Sequence, residues 1–68
     1  MEWEKIVGAN VGRLRRERGL SQETLAGEAG LAMRHLGRIE RGEGNPTVRV
    51  LAMIATVLKV HPTTFYDT

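Results

Sequence analysis

Apolar residues in this chain recur at intervals of three and four, and no stretch alternates with the period of a strand, so every predicted element is helical. Trp3, Val7, Val11 and Leu14 stand at i, i+4, i+8 and i+11. They form one apolar stripe of a first helix over about 2–18, flanked by Ile6 and by Ala9 or Asn10. Gly8 and Gly12 interrupt that run; each either weakens the helix by about 1 kcal/mol relative to alanine or lets another helix approach closely. Gly19 is placed to stop the helix, with arginines in its last turn favoured by the helix dipole.

Ser21 is the expected N-cap of a second helix over about 22–29, with Glu23 near its positive end. Thr24 stands where a full capping box carries Glu or Gln. Leu25, Ala26 and Ala29 make a small apolar face, which predicts a closely packed neighbour. Gly30 ends this helix and Leu31 follows the turn. A third helix is predicted over about 33–41, with Leu36 and Ile39 inward and Met33, Arg34, Gly37, Arg38 and Arg41 on the remaining surface. Gly42 stops it, and Glu43-Gly44-Asn45-Pro46 has the composition of a loop. Thr47 is the expected N-cap of a fourth helix over about 48–59. Val48, Leu51, Ile54, Ala55 and Leu58 would carry its buried face, with Met53 and Val57 beside it. His61-Pro62 reads as a cap and N1 proline, opening a fifth short helix over about 62–66 with Phe65 inward. Trp3 is read as core or edge packing.

The fold class is therefore all-α, a compact five-helix arrangement in one domain, 1–68. A chain of this length buries only about 60% of the surface its unfolded form exposes. It contains no cysteine, which removes disulfides, thiolate metal sites and thiol nucleophiles from consideration. The two early glutamates and the lack of an apolar run argue against a signal peptide. No window approaches the ~18 apolar residues of a membrane span. The expected location is cytoplasmic, of bacterial or phage type and nucleoid-associated.

Charge changes the picture through its distribution rather than its sum, which is only +2. Arg13, Arg15, Arg16 and Arg18 crowd one stretch and Arg34, Arg38 and Arg41 another. Glu2, Glu4, Glu23 and Glu28 lie outside these clusters. A solvated arginine face and an anionic partner both fit that pattern. Spacing narrows it: two short helices joined by a Gly-containing turn make a helix-turn-helix over about 21–41 if they cross steeply. Its second helix would be a rod about 13 Å long, matched to a major groove roughly 12 Å wide. Arg34 and Arg38, four apart, share a face, and arginine suits bidentate contact with guanine; phosphate contact is equally open for each. Met33 fits a thymine methyl or the covering of the apolar wedge beneath.

Leu14-Arg15, Gly19-Leu20-Ser21-Gln22-Glu23, Leu25-Ala26, Ala29-Gly30-Leu31, Leu36, Ile39-Glu40-Arg41-Gly42 and Asn45-Pro46-Thr47 together resemble the phage-repressor and Cro-like (Xre) family of helix-turn-helix transcriptional regulators. The resemblance spans about residues 6–65 and implies the lambda-repressor-like fold. It implies that Met33, Arg34 and Arg38 face base edges, while Gln22, Arg41, Asn45 and the helix start at Thr47 hold backbone phosphates. It also implies an ion pair between Arg15 and Glu40, and a Gln22 that bridges toward the third helix. The chain departs from the family pattern at Ala32, where a Ser or Thr cap is usual, and at Gly37, where a small polar residue is common. Both departures predict a third helix that frays when free. His35 is read as exposed or as a phosphate contact.

Catalysis is not expected. Ser21 is committed to a cap and Glu40 to an ion pair, and the two histidines lack metal-ligand spacing. No cofactor is expected. The implied function is sequence-specific binding of double-stranded DNA as a homodimer, in a repressor or autoregulator. The competing expectation is a protein-interaction module for RNA polymerase or a toxin, resting on Val57, Val60, Phe65 and Tyr66; the same group is the expected dimer surface.

Overall fold

The computed structural model describes residues 2–68, so residue 1 of the expected domain lies outside the described residues. Four α-helices follow one another: α1 Trp3–Glu17, α2 Gln22–Ala29, α3 Met33–Glu40 and α4 Val48–Leu58. The last element, Pro62–Tyr66, is a 3-10 helix rather than a fifth α-helix. Five residues opened by a proline are too few to establish the α-helical bonding pattern. Thr64 N–H instead bonds three residues back to the His61 carbonyl at 2.9 Å. No strand occurs among the described residues.

Each α-helix ends in the same way. At the end of α1, Leu20 N–H reaches the Arg15 carbonyl and Gly19 N–H the Arg16 carbonyl, the paired bonds of a Schellman motif. Leu31 and Gly30 repeat the pattern onto Ala26 and Gly27, Glu43 and Gly42 onto Arg38 and Ile39, and Val60 and Lys59 onto Ala55 and Thr56. Three of the four left-handed positions are glycine, but the fourth is Lys59, with φ +60°. N-termini differ more. The Ser21 and Thr47 hydroxyls accept from Thr24 N–H and Val50 N–H, both at 3.0 Å. Ala32 supplies no side-chain cap to α3.

One core joins all the elements. Val7, Val11 and Leu14 of α1 meet Leu25, Ala26 and Ala29 of α2, Leu36 and Ile39 of α3, and Leu51, Ile54, Ala55 and Leu58 of α4, with Phe65 closing it from the 3-10 helix. The apolar stripes read from spacing supply nearly all of this cluster. One expectation fails at its margin, and of the two expected for Trp3 edge packing is what occurs. Val48 is 79% exposed; as the first residue of α4 it sits a turn ahead of Leu51, at the end that protrudes past the core. Trp3 is likewise exposed and packs edge-on against Tyr66, ring centroids 5.7 Å apart. The C-terminal segment is tied back by Asn10, whose amide donates to the carbonyls of Phe65 and Asp67, each at 2.8 Å.

Candidate nucleic-acid interface

What holds α3 in place determines which of its side chains are free. Gly8 of α1 packs directly on the carbonyl end of α3, so closely that a Cβ there would collide with the Ile39 carbonyl oxygen and come within 3.0 Å of that of Glu40. Further along α1, the Arg15 guanidinium meets the Glu40 carboxylate as a fork, Nε to Oε2 at 2.7 Å and Nη2 to Oε1 at 3.1 Å. Arg15 Nη1 also donates to the Leu20 carbonyl at 2.7 Å. Gln22 Nε2 donates to Glu40 Oε1 at 2.9 Å. Three elements are thus fixed around one carboxylate: the end of α3, the start of α2 and the last turn of α1. Both charged side chains are largely withdrawn from solvent, at 13% and 8% exposure. A charge pair so placed resists disruption because losing either partner strands the other away from water.

With α3 anchored from behind, Met33, Arg34, His35 and Arg38 are exposed on its outer surface. Arg34, Arg38 and Arg41 stand at i, i+4 and i+7, so a stripe of guanidinium groups runs along one face, continuing past the last helical residue to the C-cap. The ion pairs among the described residues engage neither Arg34 nor Arg38. Arg41 pairs with Glu43, Nε to Oε2 at 3.1 Å and Nη2 to Oε1 at 3.4 Å. The Arg41 guanidinium, and to a smaller degree that of Arg38, holds the Glu43 carboxyl below the usual carboxylate range.

Gly37, expected on the open surface, is buried. A Cβ there would lie 3.3 Å from Arg41 Nη1 and 3.8 Å from Gln22 Oε1, so the side chains of Gln22 and Arg41 cover it. Gln22 is half-buried, with one amide hydrogen committed to Glu40. Asn45 and Thr47 follow α3 in the segment that leads into α4, and Asn45 lines a hollow of about 120 Å³ with His35, Arg38, Ile39, Glu43, Gly44 and Pro46. Glu43 is a participant that the sequence reading misses. Its signal is the Arg-x-Glu spacing across Gly42, which the Schellman motif turns into a contact.

Toward the C-terminus, Phe65 is fully buried, so the apolar C-terminal group reduces to half-buried Val57 and Val60 with exposed Tyr66. Among the described residues no helix is long and apolar enough to cross a membrane, and no three metal-ligating side chains cluster.

A helix-turn-helix family model matches residues 11–65. The HTH-type transcriptional regulator y4dJ of Sinorhizobium fredii is 45% identical over 60 residues, covering 88% of this chain and 78% of that protein. Among solved structures, the restriction-modification controller protein C.AhdI from Aeromonas hydrophila is similar with a TM-score of 0.89 and 35% identity, covering 93% of this chain and 96% of that one. The biofilm master regulator SinR, solved in complex with DNA, gives a TM-score of 0.85 at 35% identity over 90% of this chain and 98% of that one. This chain spans 57% of the length of SinR from Bacillus subtilis. The family is one of transcriptional regulators, not of enzymes, and the breadth of the match assigns the chain to it: the protein is a member of the Xre-type helix-turn-helix family of transcriptional regulators.

Proposed function

We propose that the chain binds double-stranded DNA sequence-specifically as a homodimer and regulates transcription from a near-palindromic operator. The observation that carries this reading is the contrast along α3. Its inner side is locked by Gly8 and the Arg15–Glu40–Gln22 network, while its outer side presents Arg34 and Arg38 free of ion-pair partners among the described residues. A rigid rod about 12 Å long with unpaired guanidinium groups on one face suits the major groove, where arginine reads guanine O6 and N7.

In this reading Met33, Arg34 and Arg38 face base edges. Gln22 keeps one amide hydrogen for a phosphate, and Arg41, Asn45 and the α4 N-terminus at Thr47 hold the backbone. Two copies placed about 34 Å apart would set their α3 helices into successive major grooves. The Val57, Val60 and Tyr66 surface is the proposed contact between copies. The bound dimer acts by occluding a promoter or by standing beside polymerase, in the cytoplasm and on the nucleoid. The SinR structure with DNA supports the mode, since that protein shares 35% identity and the same chain path.

The test is selection of bound sequences from a random duplex pool. Enrichment of a two-fold-related site with half-sites one helical turn apart is expected. Recovery of no enriched motif, with binding equal on all duplexes, overturns the reading.

A further inference from the structure

Of the three arginines on the outer stripe of α3, only the last has an ion-pair partner among the described residues. Arg41 is the C-cap residue and Glu43 is two residues on, across Gly42 at φ +77°. The Schellman bonds from Glu43 N–H to the Arg38 carbonyl, 2.9 Å, and from Gly42 N–H to the Ile39 carbonyl, 3.0 Å, fix the backbone between them. The pairing is thus built into the helix stop and does not rely on two long side chains meeting by chance. The carboxylate presents two oxygens to the guanidinium fork, the arrangement that a phosphate would also offer. Glu43 is itself exposed and faces the hollow shared with Arg38 and Asn45.

We propose that Glu43 is an internal stand-in for a DNA phosphate, which occupies Arg41 in the free protein and must release it before Arg41 can hold the backbone. The inference rests on the DNA-binding reading above and adds a residue which that reading leaves unassigned. It has two consequences. Arg41 is held over Gly37 in the free protein, its Nη1 3.3 Å from where a Cβ there would stand. Each backbone contact made by Arg41 also breaks an ion pair, which lowers affinity for every duplex. The device therefore restrains binding to arbitrary sequence, where backbone contacts supply essentially all the affinity.

The test compares wild type, Glu43→Gln, Arg41→Ala and the double variant on a random-sequence duplex across a salt series. Glu43→Gln is expected to bind about two- to five-fold tighter at low salt, the fold equivalent of an exposed ion pair. Its salt dependence should steepen by up to about 0.9, one phosphate contact. In the Arg41→Ala background, Glu43→Gln should change affinity little. An equal gain in both backgrounds would reduce Glu43 to simple repulsion of the backbone and overturn the proposal, as would no gain in either. Wild type failing to bind any duplex would instead overturn the DNA-binding reading itself, a distinct result.

Discussion

Gly8 and the Ile39 carbonyl oxygen are in such close contact that α1 and the end of α3 leave no room for a methyl group between them. Gly8→Ala must therefore push the two helices apart or bend one of them. Overpacking of this kind typically costs about 1–3 kcal/mol. Gly27, inside α2, faces open space instead, with nothing beyond its own stretch of helix within 4 Å of where a Cβ would stand. There the same substitution gains helix propensity, up to about 1 kcal/mol. Denaturant melts of the two variants should shift in opposite directions, although both replace a helical glycine by alanine.

The second relationship to test is the shared carboxylate of Glu40. Removing it in Glu40→Ala leaves the Arg15 guanidinium largely buried with only the Leu20 carbonyl, and frees the Gln22 amide. The expected loss is about 3 kcal/mol or more, a large part of the roughly 5–15 kcal/mol that holds a domain folded. Arg15→Ala should lose a similar amount. The double variant should lose clearly less than the sum, because the second removal no longer strands a charge. Additive losses in thermal melts would mean the pair contributes independently.

Ala32 tests how firmly α3 starts. Its backbone has the extended conformation of an N-cap, φ −68° and ψ 140°, but no side-chain oxygen reaches the first turn. Ala32→Ser should stabilise the fold by about 1 kcal/mol. It should also slow amide exchange at Leu36, whose bond to the Ala32 carbonyl closes the first turn. Any fraying of α3, which the sequence reading expects for the whole helix, should be confined to that turn. From Leu36 onward, α3 is held by the core, by Gly8 and by Glu40.

These residues also show what the sequence could reveal and what it could not. Gly19, Gly30 and Gly42 mark helix ends because the left-handed conformation at C′ favours glycine, and the apolar stripes mark faces because burial follows the helical period. Lys59 gives no such signal, so the predicted α4 runs one residue too far. Periodicity identifies a face but not where the core beneath it ends, hence the misplacement of Val48. Gly37 is buried by side chains from Gln22 and Arg41, and helical spacing within α3 alone contains no trace of the first. Arg15 and Glu40 lie 25 residues apart; family resemblance, not spacing, brings them together. The exposure of Met33, Arg34 and Arg38 is legible, since Leu36 and Ile39 alone fix the inner side.

Lys59 is the one non-glycine residue with positive φ among the described residues. A left-handed conformation costs a residue with a Cβ roughly 1–2 kcal/mol, partly offset by the greater freedom that glycine loses on folding. Lys59→Gly should raise stability by about 0.5–1 kcal/mol. Lys59→Val, with a branched Cβ in the same conformation, should lower it. Both variants leave the α3 surface unchanged, so DNA affinity measured well below the melting temperature should remain that of wild type.

The division of labour on α3 is tested by Arg34→Ala and Arg38→Ala. A guanidinium reading guanine contributes about 1–3 kcal/mol of discrimination at one base pair. Its removal should weaken binding to the selected operator about 5- to 150-fold and relax preference at that position alone. A guanidinium on phosphate behaves differently: its removal weakens binding to all duplexes alike and reduces the salt slope by about one contact. Repeating the selection with each variant separates the two roles for each residue. Neither arginine belongs to an ion pair among the described residues, so neither substitution leaves a stranded partner and stability should change by less than about 0.5 kcal/mol. A variant that keeps both its stability and its full operator affinity would remove that arginine from the DNA-contacting surface.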